Sequence, residues 1–269
     1  MLFRSASAPV PPPPRPRPAP PCARQAVAAI AAHADAYPDL PMFLYYAPEL
    51  IHKPWTAPSS YTDRCGSAKG VDDDDVSDDL LNYCGLNVML DETVANVTCA
   101  LAAHGMAENT VLVLISDNGG YKTIPGNNYP LRGTKGTFWR GGVSSTAFVH
   151  SPLIAAGYRG TTYAGNMHVT DWLPTLMHPA TGGAWARPLS GHALDGVDLW
   201  DAITTADSAT QRDEIVFYAT SDAGVVQQGT YRYYLGVDEE EVVKPATTFK
   251  KDKDPDLASA SCDSPTLLS

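Results

Sequence analysis

The chain has 269 residues, 44% of them hydrophobic, and a formal net charge of −11. That length and hydrophobic share suit one sizeable α/β domain with its own core and argue against wholesale disorder. The acidic balance argues against non-specific nucleic-acid binding, which depends on Lys and Arg against phosphate, and no run reaches the roughly 20 apolar residues of a membrane-spanning helix.

Residues 1–23 read as a tail. Ala8 to Pro21 is dominated by proline, which removes backbone donors and favours polyproline II. The start does not read as a signal peptide, because Arg4 and then prolines stand where an apolar stretch should be. Arg24 to Ala36 is alanine-rich and predicts a helix that ends before Pro38. A strand is expected over Met42 to Tyr46, and His52 follows it between Ile51 and Lys53-Pro54. A lone histidine is more often structural, but a position just past a strand end also suits a cleft.

Asp72 to Asp75, Asp78 and Asp79 form an acidic run without the Gly and Glu positions of a calcium-binding EF-hand loop, so a solvated loop is expected. Leu86, Leu90, Val94, Val97 and Leu101 then repeat at helical spacing and predict one apolar stripe. Asn96-Val97-Thr98 is an N-glycosylation sequon with Asn96 off that stripe. The five cysteines, Cys22, Cys65, Cys84, Cys99 and Cys262, have no metal-type spacing, and their odd number leaves at least one thiol free.

Five apolar residues, Val111 to Ile115, predict a strand buried on both faces and central to a sheet. The sequence then changes to Ser116-Asp117-Asn118-Gly119-Gly120. Ligands of open α/β sheets bind at such strand ends, and the Asp117 carboxylate and Asn118 carboxamide offer two hard oxygens. Asp-Asn-Gly-Gly is also ordinary turn chemistry. Arg132 and Lys135 follow in a long loop. Oxygen ligands beside cations suit an anionic oxyester held on a hard metal.

Ser144 to Val149 predicts another strand. At His168 to Thr175 a helix is expected to begin, with Thr170 as N-cap, Pro174 near the start, and Trp172, Leu173 and Leu176 in the core; His168 suits capping or packing better than a cleft. Ile215 to Ala219 and Thr230 to Val237 read as strands, and from Lys244 the chain turns polar and charged.

The stretch SDNGG followed by GNNYPLRGTKGTFWRGGV resembles the sulfatase family, and within it the arylsulfatase B type. The resemblance extends to PMFLYYAPELIHKPW upstream and to HVTDWLPTL and DGVDLW downstream, in the family's order. It implies an alkaline-phosphatase-like α/β fold, a mixed sheet flanked by helices, with a small C-terminal β region. The resulting division is a partial catalytic domain over 24–205, a small sheet over 206–243 and a polar tail over 244–269. The implied activity is sulfuric ester hydrolysis of a sulfated small molecule or carbohydrate. His52 would bond the sulfate and assist the leaving group, Lys135 would bind sulfate oxygens, and Asp117 and Asn118 would hold one calcium ion. A secreted or lysosomal location is implied as well. Arg132 could serve either the site or the loop's own structure.

The family's nucleophile, a formylglycine made within Cys/Ser-x-Pro/Ala-x-Arg, has no counterpart here. Cys22 is followed by Ala23-Arg24-Gln25-Ala26, and Cys65-Gly66-Ser67-Ala68-Lys69 is the nearest miss. The first strand with its paired aspartates has no match either, so the chain resembles the C-terminal part of a sulfatase domain. Three explanations stand open: an incomplete gene model, a non-enzymatic remnant that binds a ligand or partner, or a phosphodiesterase of the same superfamily.

Overall fold

The computed structural model describes residues 20–65, 78–121, 128–185, 193–205 and 211–236. Most of the proline-rich start, Asp72 to Asp75, Lys122 and the polar stretch from Lys244 lie outside these. In chain order the elements are α1 (Pro21–Ala36), α2 (Ser59–Thr62), α3 (Asp78–Ala103), β1 (Leu112–Ile115), α4 (Arg140–Val143), β2 (Ala147–His150), α5 (Trp172–Thr181), α6 (Trp200–Thr204), β3 (Glu214–Ala219), β4 (Gly224–Gln228) and β5 (Tyr231–Leu235). The chain divides into two compact units, one holding 20–108 and 120–130, the other 109–119 and 131–236 of the described residues. The small sheet β3–β5 shares a unit with β1 and β2.

The first unit is helical. Ala23, Ala26 and Ile30 recur at three and four residues, and this buried edge of α1 packs on α3. On α3 the buried positions are Gly85, Leu86, Met89, Thr93, Ala100 and Leu101. The expected stripe keeps Leu86 and Leu101, while Leu90, Val94 and Val97 are only half-buried. Thr93 takes the central place because its hydroxyl donates to the Met89 carbonyl at 2.8 Å, which satisfies it without water. A disulfide joins Cys65 to Cys84, and Arg64 pairs with Glu92. Met42 to Tyr46 forms no strand. It lacks a ladder partner among the described residues, and Phe43 and Tyr45 stand 82% and 83% exposed.

In the second unit β1 pairs antiparallel with β2, Val113 facing Val149 and Leu114 facing Phe148. The predicted strand is present, but it is half-buried and not central. β2 is its one neighbour among the described residues, and Ile115 is 45% exposed. β3, β4 and β5 form a second antiparallel sheet in that order. The α/β class holds, while both described sheets are antiparallel and the expected mixed sheet is not among them. β4 carries no strand signature in its sequence, because Gly224-Val225-Val226-Gln227-Gln228 shows no alternation.

The start of α5 corrects one cap. A short 3₁₀ turn, Val169–Asp171, precedes the helix, and its N-cap is His168, not Thr170. The His168 amide donates to the Asp171 carboxylate at 2.7 Å and the Thr170 amide donates back to Nδ1 of His168. Asp171 is fully buried and also accepts from the Val197 amide and from two nitrogens of Arg212. Burial is the largest single influence on Asp171 and opposes its charge. The Arg212 guanidinium and the two amides together outweigh it and hold the carboxyl below the usual carboxylate range. Leu173, expected in the core, is 54% exposed, since Pro174 and Thr175 take the inward positions.

Candidate functional site

The loop that follows β1 is shaped by backbone lying directly on backbone. The Gly119 amide donates to the Gly142 carbonyl at 2.9 Å, and the Gly141 amide to the Arg132 carbonyl at 2.6 Å. A Cβ added at Gly119 would lie 1.7 Å from the Gly141 oxygen, and one at Gly141 would lie 2.4 Å from the Gly133 oxygen. Only glycine allows three chain segments to meet this closely. Their meeting sets Ser116–Gly119 beside the Arg132–Gly142 stretch.

At the end of β1, Ser116 donates its hydroxyl to the Asn118 carbonyl at 2.8 Å, closing a tight turn. Asp117 is exposed, and its carboxylate makes no hydrogen bond or ion pair among the described residues. Asn118 donates its amide nitrogen to the Gly119 carbonyl, so its side-chain oxygen is the atom left to serve a cation. These two oxygens suit a hard cation in type. They are few, since calcium takes six to eight oxygens, and the described residues hold no group of three or more His, Cys, Asp or Glu placed to bind a metal.

Lys135 stands at the tip of a turn. The Thr137 amide donates to the Thr134 carbonyl at 3.0 Å, and the Thr137 hydroxyl donates to the same carbonyl at 2.8 Å. Lys135 and Gly136 fill the two middle positions, and Gly136 at φ +90 supplies the left-handed residue of a type II turn. The Lys135 ammonium makes no ion pair among the described residues, which leaves a point charge free for an anion. Arg132 behaves differently: its guanidinium lies 3.5 Å from the centre of the Trp139 ring. That contact ties it to the loop's own structure.

His52 belongs to the other unit. Its Nδ1 lies 2.8 Å from the Lys53 carbonyl. A carbonyl only accepts, so Nδ1 carries the proton and the exposed Nε2 is left open for a ligand. The segment carrying it is tied to α3. The Ala57 amide donates to the Asn82 side chain at 2.9 Å, Trp55 meets Tyr83 edge-on, and Gly85 leaves room for the Ala57 methyl. In the same unit, Asn128 makes two hydrogen bonds to the backbone of Gly120, at 2.7 and 2.8 Å.

Asp117, Asn118 and Lys135 thus share one unit and His52 stands in the other. Asn96 lies within α3, its carboxamide donating to the Glu92 carbonyl at 2.7 Å. Cys65, the nearest miss for a nucleophile motif, is consumed in its disulfide. Arg232 and Tyr234 reach the Lys135 loop and were not legible as site residues. Only alternation along β5 hints that they share a face.

Among known proteins, Arylsulfatase J of Mus musculus is 38% identical over 167 residues, 62% of this chain and 26% of that protein. Human Arylsulfatase A is 30% identical over 183 residues, 67% of this chain and 32% of that protein. The chain thus spans about a quarter to a third of the length of these relatives. In structure it resembles Ps i-CgsB, solved in complex with k-i-k-neocarrahexaose, with a TM-score of 0.66 at 22% identity over 80% of this chain and 45% of that one. It also resembles the PsFucS1 sulfatase from Pseudoalteromonas sp., with a TM-score of 0.63 at 20% identity over 83% and 42%. At such identities the structural likeness speaks for the fold alone. The sulfatase family model matches residues 10–182, well over half of the sequence, and the chain belongs to the sulfatase family.

Proposed function

We propose that this chain carries the substrate-binding portion of an arylsulfatase-like sulfuric ester hydrolase acting on sulfated carbohydrates or related sulfate esters. The observation that carries the reading is the unpaired Lys135 ammonium at a turn tip, in a stretch joined through glycine contacts to the Asp117–Asn118 loop. Lys135 would hold the sulfate oxygens as a point charge, and His52 would offer Nε2 toward the ester or its leaving group. Asp117 and Asn118 would be two of the ligands of a calcium ion. Such an ion, when bound, supplies positive charge that orients the sulfate and spreads its negative charge.

Two further observations favour parts of this reading. The complex of Ps i-CgsB with a neocarrahexaose concerns a carbohydrate ligand in a protein of like fold. The Cys65–Cys84 disulfide suits an oxidising compartment, in line with a secreted or lysosomal protein.

Calorimetric titration of the full chain with 4-nitrophenyl sulfate, the diester bis(4-nitrophenyl) phosphate and 4-nitrophenol, with and without calcium, tests the reading. The sulfate ester is expected to bind, to bind better with calcium, and to bind better than the phenol. Equal affinity for ester and phenol would overturn it. Stronger binding of the phosphate would favour the phosphodiesterase alternative.

A further inference from the structure

Residues alternate along β5, so Tyr231, Tyr233 and Leu235 face outward while Arg232 and Tyr234 face the body of the unit. Both inward side chains end on one atom, the Phe138 carbonyl oxygen. Nη1 of Arg232 donates to it at 2.7 Å and the Tyr234 hydroxyl donates to it at 3.1 Å. A carbonyl oxygen has two lone pairs, and here β5 occupies both.

The guanidinium is itself held in place. Its Nε and Nη2 donate to the side-chain oxygen of Gln227, the residue facing it across the β4–β5 ladder. Its face lies 4.3 Å from the Phe217 ring centre. Around the carbonyl, the Tyr234 ring packs against Trp139 at 4.4 Å, and Tyr218 stacks on Phe138 at 5.6 Å. Trp139 continues the chain of contact, because a Cβ at Gly133 would lie 2.3 Å from the Trp139 Cβ. Gly133 and Phe138 flank the Thr134–Thr137 turn that presents Lys135. The small sheet therefore grips one end of that turn directly and the other end through Trp139.

We infer that Arg232 and Tyr234 are positioning residues that fix the Lys135 turn for sulfate binding by holding the Phe138 carbonyl. This rests on the reading of Lys135 as the sulfate-binding cation. Neither residue touches substrate; both act through the loop backbone. Tyr234→Phe removes one donor and keeps the ring on Trp139, so packing is retained while one tether is lost. Arg232→Ala removes the other donor and the ring contact, whereas Arg232→Lys keeps a charge and one donor.

The test is a titration of the full chain with 4-nitrophenyl sulfate, followed by the NMR shifts of the Lys135 and Gly136 amides, alongside thermal melts. Tyr234→Phe is expected to weaken binding about three-fold and Arg232→Ala about ten-fold, with Arg232→Lys between them. The melting temperature of Tyr234→Phe should stay close to that of the parent. Lys135→Ala serves as the reference and should lose binding entirely. If Lys135→Ala loses binding while both Tyr234→Phe and Arg232→Lys bind as the parent does, the positioning inference is wrong and the reading of Lys135 survives. If Lys135→Ala binds like the parent, or the parent shows no binding, the reading of Lys135 falls and takes this inference with it.

Discussion

A free ammonium on a short, glycine-containing turn loses little on binding an anion, since the backbone is already fixed and no existing ion pair must break. Within a catalytically competent form of the enzyme, Lys135→Ala should lower turnover of an aryl sulfate far more than Lys122→Ala does. Equal losses would remove Lys135 from the site. Asp171 shows the opposite economy of charge, being fully buried and fully bonded. Asp171→Asn leaves the Arg212 cation without its partner and should cost about 3 kcal/mol or more, read by urea melts. The sign of the pH dependence follows from the lowered carboxyl. Its stabilising effect is complete above the unfolded value of about 4 and is lost as pH falls through the lower folded value. Melts between pH 5 and about 2 should show that loss in the parent and a shallower slope in Asp171→Asn.

Among the elements, α3 and β5 teach different lessons about what a sequence makes legible. α3 announced itself through periodic apolar residues, yet its buried edge runs through Met89 and Thr93, because a threonine hydroxyl that bonds its own helix can be buried. The SDNGG and PLRGTK stretches announced themselves by residue type. The way they meet did not, since it depends on backbone contacts at Gly119, Gly133 and Gly141 that no pattern of side chains encodes. Met42 to Tyr46 carries the composition of a strand, but a strand also needs a neighbour, and no ladder joins it among the described residues. The disulfide pairing was equally beyond the sequence, for spacing alone does not decide connectivity. It joins residues 19 apart, and closing such a loop is worth about 3 kcal/mol of restricted unfolded chain. Cys84→Ala should therefore lower the melting temperature clearly under oxidising conditions and match the parent once the parent is reduced.

For the molecule as a whole, surface and chemistry point the same way. Phe43, Tyr45, Tyr231, Tyr233 and Leu235 are all strongly exposed, and neither edge of the β1–β2 pair has a further strand among the described residues. Sedimentation velocity should show concentration-dependent self-association that a mild detergent reverses; a monomer at all concentrations would contradict it. Covalent hydrolysis needs a nucleophile with an activating partner, and the 269 residues contain no Cys/Ser-x-Pro/Ala-x-Arg motif. Expressed alone with a formylglycine-generating enzyme, they should not hydrolyse an aryl sulfate with added calcium. Turnover accompanied by a formylglycine, found by mass spectrometry at Cys65 or elsewhere, would refute that expectation.

The glycine contacts also bear on how this loop could change over generations. Any side chain at Gly119 collides with a main-chain oxygen, and main chain cannot rotate aside as a side chain can. A saturation scan scored on sulfate binding would therefore flag Gly119 and Gly141 as sharply as Lys135. Their intolerance would be steric, and it would register as loss of folded protein before loss of ligand. New substrate preferences cannot arise by decorating this crossing, and must come from the residues it leaves free to vary.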